Sequence, residues 1–537
     1  MAAGVRAFAW SKTAVLFNDG PIFLAMAAAL REGGIERVLD HPQHPLYPAL
    51  IAALESLALP PETAAVCVSI GGGLLAVAAV FRLAWSRFGP DCAWVSAWTV
   101  ALHPWAVDFS ADVMSDGLYM GLYLAGLTAL VALLERPRAG AAVAFGCFTG
   151  LAYWTRPEGL ALGAVAALVG FARVLRRDGA GTDGRALLRL GVLALAVVAL
   201  LVFGLRVAEW RAGGDVGLSQ KKSVRALLEG GPSAEALARD RAARRARRED
   251  PAALPLPESS ARAQPDADGE RPARSPLGLV AALARVLATG VSAIRHEVVL
   301  FALIGCWLVR RGRAPPRPGN AYDAVVAVSL AVHVAMLVLL VWGAGYVSRR
   351  HALAPGLALV PLAAWAALAG LERGCAWARP WLCGRPIGDG ARSERAGAGA
   401  GAGRRAMRTI RIGLVVLLVL AWGPRDGRAR RVDRLAERRA AEWLGASGRA
   451  LPPIAAQKRR TAYYADAAFV PLPDGRDGRI EEQLRRRHAG YVIIDRAKLA
   501  DHRGLAEGVG RWLVPIHVEQ ADRQAILVLA IEPAPAH

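Results

Sequence analysis

Acids and cations that interrupt apolar stretches are the place to look for chemistry in this chain. Asp19 is the first, followed by Gly20 and Pro21. A carboxylate there suits the cap of a helix that opens at the proline. A carboxylate held in that way can also accept a proton from a hydroxyl. The two roles are compatible. Three more acids, Asp108, Asp112 and Asp116, lie four apart in HPWAVDFSADVMSDGLYMGLYLAG (103–126) and share a face if the stretch is helical. Asp108 and Asp112 read equally well as solvated loop acids. Asp116 opens an apolar run, where an acid is costly unless it faces a cavity, and it is the stronger candidate. Arg156 and Glu158 break the apolar stretch around WTRPEG (154–159), as a structural ion pair or as ligand contacts. Cations able to meet a phosphate are Lys221 and Lys222 in LSQKKSV, and Arg349, Arg350 and His351 in GYVSRRHALAP. Snorkelling toward lipid headgroups accounts for Arg349 as well. His41 and His44 have i, i+3 spacing, but prolines separate them and no third ligand is evident, so they point to loop or acceptor positioning rather than a metal. His333 lies mid-span and reads as a packed residue.

The elements that must position these groups are apolar helices. The chain is 54% hydrophobic with a mean hydropathy of +0.30, which excludes an ordinary soluble protein of this length. Apolar runs of bilayer-spanning length fall at 61–83, 92–107, 116–134, 140–155, 158–175, 187–207, 295–310, 322–343, 352–371 and 409–423, about ten in all. The net charge of +21 is carried mainly by arginine. With the 18–48 loop outside, the arginine-rich loops 135–139, 172–186, 311–321 and 372–408 fall on the cytoplasmic side. Basic charge therefore points to loops and anionic lipids. Nucleic acid is not expected as a partner, since no nucleic-acid-binding signature accompanies the charge. The six cysteines show no zinc spacing and no disulfide framework. Residues 1–17 are too short to span and carry no cleavage site, so a first span is expected upstream of a start placed too late.

Two long segments fall outside the membrane, 208–294 and 424–537. Residues 239–276, rich in Arg, Ala and Pro, read as disordered. The run 391–405 reads as a flexible cytoplasmic tether. In 424–537 the pattern changes. A helix is expected near 440–448 and a strand or two in 452–473. A helix, a glycine stop and a buried strand follow in 480–495, and the chain ends in a hairpin. The expected architecture is a polytopic α-helical membrane module over 1–423 and a small extracytoplasmic α/β domain over 424–537.

One resemblance bears on function. The loop 18–48 reads Asp19-Gly20, Phe23-Leu24, Gly33-Gly34, then His44-Pro45-Leu46-Tyr47-Pro48. It resembles the first extracytoplasmic loop of the GT-C glycosyltransferases, which include the protein O-mannosyltransferases and aminoarabinose transferases. Asp116 with Leu118-Tyr119, the TRPEG turn and the SRRH cluster resemble further elements of that group, with His351 where the group has an aromatic residue. The resemblance implies transfer of a sugar from a polyprenyl-phosphate carrier to a lipid, glycan or protein acceptor on the extracytoplasmic face of the plasma membrane, with inversion. It implies Asp19 as base and Asp116 as its partner. Arg156, Glu158, His44 and Tyr47 would lie near the substrate, and Lys221, Lys222, Arg349, Arg350 and His351 near the phosphate. A divalent cation is a possible cofactor, since metal use varies in the group. Alternatives are a transporter or flippase of lipid-linked sugars, which would carry paired broken helices, and a non-catalytic scaffold. The Ala, Arg and Gly content suits a bacterium.

Overall fold

The computed structural model describes residues 1–176, 184–212, 276–311, 321–383, 396–447, 451–473, 479–521 and 524–533. Lys221, Lys222 and nearly all of the stretch 239–276 lie outside the described residues. The described chain forms two compact units. One comprises 1–7, 27–111 and 115–426, the other 8–26, 112–114 and 427–537.

The first unit is a bundle of apolar helices, and the protein is a polytopic helical membrane protein. Among the described residues four helices are long and apolar enough to cross a bilayer alone: Pro61–Phe88, Asp116–Glu135, Arg185–Arg211 and Ala321–Trp342. Two bent pairs, Gly278–Ile294 with His296–Arg310 and Arg349–Leu357 with Val360–Gly374, can each make one more. Other apolar runs are shorter or broken. The run 92–107 divides into helices Pro90–Leu102 and Pro104–Ser110, because Pro104 has no N–H to continue the ladder.

Two further expectations are corrected. The stretch 208–294, expected as one outer loop, is helical at both ends: helix Gly184–Arg211 runs past 208, and residues 276–294 form a helix, bent by 101° against the next one. Arg295 takes φ 77° at that bend, and the Ile294 carbonyl released from the helix ladder meets His103 Nε2 at 3.1 Å. His103 Nδ1 accepts from the Ala106 amide, so Nε2 carries the proton and donates. The tether 391–405 is helical from Ala396, continuing into helix Ala396–Asp426. Its alanines carry the helix upstream despite the glycines.

Burial differs sharply between helices of similar composition. The apolar stretch of Asp116–Glu135 is 89% buried and that of Arg185–Arg211 only 11%. Lipid tails are as apolar as leucine, so burial in a bundle follows from close packing rather than from hydropathy. Helix 116–135 is central because glycines let it approach helix 61–88. A Cβ on Gly72 would collide with Gly117 O and Leu118, and one on Gly121 would collide with Gly72 O. Arg6, fully buried in the same unit, donates through Nε to Ser110 Oγ at 2.7 Å and through Nη1 to Ala101 O at 3.2 Å.

The second unit is built on a five-stranded sheet. Its strands are β1 (Ile454–Ala456), β2 (Phe469–Pro471), β3 (Tyr491–Asp495), β4 (Leu513–Ala521) and β5 (Gln524–Ile531), in the order β2-β1-β3-β5-β4. β1 runs parallel to β2 and β3, while β5 is antiparallel to β3 and β4. Side chains alternate between two covered faces. Ile454, Ile493 and Val528 pack with Ala440, Ala441 and Leu444 of helix Leu435–Gly445. Ala455, Val492, Ile494 and Leu529 pack with Ile480, Leu484 and Leu505 from helices Ile480–Arg486 and Arg503–Gly508. A central strand buried on both faces explains the unbroken apolar run YVII.

Candidate active site

In the bundle, the end of helix Ala139–Thr155 gathers Asp116, Arg156, Glu158 and His44 from among the groups that sequence singled out. Thr155 ends the helix, and Arg156 takes an extended conformation before the short turn Pro157–Leu160. That turn sends the buried Arg156 side chain to Asp116, the first residue of helix Asp116–Glu135. Arg156 Nε lies 3.6 Å from Glu158 Oε2, and its guanidinium sits 5.6 Å from the centre of the Tyr119 ring. Burial alone would lower the Arg156 pKa, but Asp116 and Glu158 outweigh it and the net direction is upward. The guanidinium stays charged between the two carboxylates.

Three residues earlier, Tyr153 continues the cluster. His44 meets its ring edge-on at 5.2 Å, and the Arg206 guanidinium lies 5.5 Å from its centre. Arg206 is paired with Glu209 one turn on. Tyr153, Arg206 and Glu209 were not singled out from sequence. The signal was present: Arg206 and Glu209 stand at i, i+3 at the end of an otherwise apolar span. Tyr47 is fully buried, its hydroxyl 3.0 Å from Ala65 O and 2.8 Å from Ser69 Oγ. His41 is buried, and its Nδ1 accepts from the Gln43 amide.

The SRRH cluster opens helix Arg349–Leu357, which packs against helix Asp116–Glu135. Arg349 donates from Nε to Ser292 Oγ at 2.8 Å and stacks on Trp105 at 4.5 Å. Trp105 donates to Ser292 O and carries Arg425 over its ring at 4.2 Å, and Arg425 lies 4.0 Å from Asp108. Arg350 is half-buried on the same turn. His351 completes a capping box with Ser348, accepting the Ser348 amide at its Nδ1. This gives His351 a local reason to stand where an aromatic residue was expected.

In the second unit, Asp19 is half-buried in the turn before helix Gly20–Arg31, and its carbonyl accepts the Ile22 and Phe23 amides. The preceding residue, Asn18, accepts from Arg460 Nη1 at 2.8 Å. Asp112 has its side chain fully enclosed. Its Oδ1 accepts the Val113 amide at 2.8 Å, and its Oδ2 is paired with Arg431. Arg431 also donates to the Val15 carbonyl. Among the described residues no three His, Cys, Asp or Glu side chains gather as a metal-binding set.

Comparisons with known proteins bear on the fold and on part of the sequence. Residues 40–203, which include Asp116, Arg156 and Glu158, match the model of the family described as dolichyl-phosphate-mannose-protein mannosyltransferase. No curated protein matches the chain. The chain resembles the crystal structure of ArnT from Cupriavidus metallidurans bound to undecaprenyl phosphate, with a TM-score of 0.55 and 14% identity over 98% of this chain and 96% of that one. It also resembles the archaeal oligosaccharyltransferase AglB from Archaeoglobus fulgidus in complex with an inhibitory peptide and a dolichol-phosphate, with a TM-score of 0.51 and 13% identity over 94% of this chain and 70% of that one. The chain has the fold of the GT-C glycosyltransferases and bears the mannosyltransferase family's sequence pattern across residues 40–203.

Proposed function

We propose that the protein is an integral membrane glycosyltransferase that moves a sugar from a polyprenyl-phosphate carrier to an acceptor hydroxyl at the extracytoplasmic face of a bacterial plasma membrane. The observation that carries this reading is the buried Asp116–Arg156–Glu158 cluster within a segment of mannosyltransferase pattern. Such a cluster at the start of an apolar helix is costly unless it serves a polar ligand. The solved relatives bind undecaprenyl phosphate and dolichol-phosphate, which supports a carrier of the same chemistry here.

In the reaction, the acceptor oxygen forms a bond to the anomeric carbon as the carbon–oxygen bond to the carrier phosphate breaks. The proton of the acceptor passes to the Asp19 carboxylate. The carrier phosphate leaves with the bonding pair. A single displacement inverts the anomeric centre. Asp116, held by Arg156, orients the acceptor, and Glu158, His44 and Tyr47 border it. Arg349, Arg350, His351 and the lysines Lys221 and Lys222 are the candidates to neutralise the leaving phosphate. A divalent ion, if used, would need oxygen ligands from this group of acids.

Sugar transfer from a polyprenyl-phosphate donor pool, with the purified protein in lipid nanodiscs, tests the reading. Asp19→Asn should lower turnover by about 10²–10⁴-fold, the worth of a positioned general base. Equal turnover in the variant, with wild type active, would remove Asp19 from the centre. Absence of transfer by the wild type across donor sugars would favour the scaffold or transport readings.

A further inference from the structure

The sheet of the second unit has a feature that the transfer reading does not use. β1 and β3 are parallel neighbours at its centre. The chain leaves β1 toward β2 on one side and leaves β3 toward β4 on the other. Connections that depart in opposite directions from adjacent parallel strands open a crevice beyond their carboxyl ends, where ligands of open α/β sheets bind.

The residues that follow these two strand ends are cationic. After Ala456 come Gln457, Lys458, Arg459 and Arg460. After Asp495 come Arg496, Ala497 and Lys498. Lys498 Nζ donates to Gln457 Oε1 at 3.0 Å, so the two loops meet. Arg460 and Arg434 lie close enough to act on Lys458. The neighbouring acids are already engaged. Glu437 pairs with Arg460 at 3.2 Å and accepts from Thr461, Asp433 lies 3.1 Å from Arg434, and Asp495 accepts the Ala497 amide. Arg459 turns aside to stack on Phe469. Burial, then Arg460 and Lys498, hold the Lys458 ammonium below its ordinary pKa.

We propose that the crevice between the β1 and β3 loops is a binding site for a phosphate- or diphosphate-bearing group, held by Lys458 and Lys498 with Arg460 behind them. Two lysines present flexible point charges suited to a multiply charged tetrahedral anion. Gln457 adds a neutral amide at the rim. Arg460 links this end of the sheet to Asn18, the residue before Asp19, within the same unit. The inference does not depend on sugar transfer and is read without any donor.

The test uses the full chain in a neutral detergent. Its probes are sodium pyrophosphate at fixed ionic strength and, separately, micelles doped with phosphatidic acid, both followed by calorimetry. Lys458→Gln/Lys498→Gln should weaken binding at least about tenfold, the worth of a charged hydrogen bond. Lys498→Gln alone relieves repulsion, so it should fold as the wild type does while losing affinity. Lys458→Arg/Lys498→Arg should retain binding. Variant-sensitive binding of pyrophosphate identifies a soluble or glycan-borne phosphate. Variant-sensitive binding of the doped micelles alone identifies a lipid-borne one. If neither probe binds, or both bind equally to wild type and the glutamine variants, the proposal is overturned. Equal binding of succinate and pyrophosphate would overturn the phosphate assignment.

Discussion

Asp112 and Asp116 stand four residues apart, and each is joined to an arginine, yet their surroundings are opposite. Asp112 is enclosed and both of its oxygens are occupied, one by a backbone amide and one by Arg431. Arg431 in turn holds a backbone carbonyl and lies over the Phe17 ring. Every group in that pair has a structural partner. Asp116 shares its arginine with Glu158, leaving two carboxylates around one guanidinium. The first arrangement fastens a fold. The second gathers two carboxylates on one buried guanidinium at the start of an apolar helix, which suits work on a substrate. An Asp–Arg pair is therefore not evidence of function or of stability by itself, and the stoichiometry around it decides which.

Substitutions can break or sharpen that contrast. The largest effect is expected at Asp116. Asp116→Asn should lower transfer on the order of 10³-fold while the purified protein keeps its monodisperse profile, since orienting and proton-handling carboxylates carry effects of that size. Unchanged turnover would make both pairs fasteners. Asp112→Ala should do the reverse. Loss of one partner of a buried pair costs about 3 kcal/mol, read as a lower midpoint of thermal unfolding in detergent, with turnover of the folded fraction kept. A large loss of turnover at unchanged midpoint would reverse the assignment. Gly121→Ala offers a reference with no charge involved. Its Cβ would meet the Gly72 carbonyl, and the overpacking should cost about 2 kcal/mol in the same unfolding measurement. The smallest effect is expected at Arg349. It stacks on Trp105 beside Arg425, so Arg349→Gln should cost about 1 kcal/mol of stability. A loss of donor affinity in that variant, seen as a raised KM for the lipid-linked sugar, would assign it to the phosphate as well.

Much of the helical frame is legible because apolar runs in a membrane protein announce themselves by length. The strands of the C-terminal sheet are legible too, since alternation and the glycine before Tyr491 mark them. What escapes is partnership across distance. Nothing near Asp112 announces Arg431, 319 residues away. Nothing in 8–26 says that these residues pack with 427–537. Hydropathy also cannot rank helices by depth, because lipid and bundle interior are equally apolar. Helix 116–135 is central through its glycines, while helix 185–211, more apolar, is peripheral. Asp116 and Arg156 could each be singled out by the cost of a charge in an apolar run. Their pairing needed the extended Arg156 backbone to turn the side chain inward.

The glycine seam between helices 61–88 and 116–135 has a mechanical meaning. Two backbones in direct contact, with no side chains between them to swing or repack, form a joint with almost no play. Rolling or sliding helix 116–135 would drive Leu118 into the neighbouring main chain at Gly72. Asp116 rides on the end of that joint, so its aim is set when the bundle assembles. Under the proposed transfer, admitting a bulky lipid-borne molecule would fall to helices with open flanks, such as 184–211, with Asp116 kept on the packed seam as the fixed jaw.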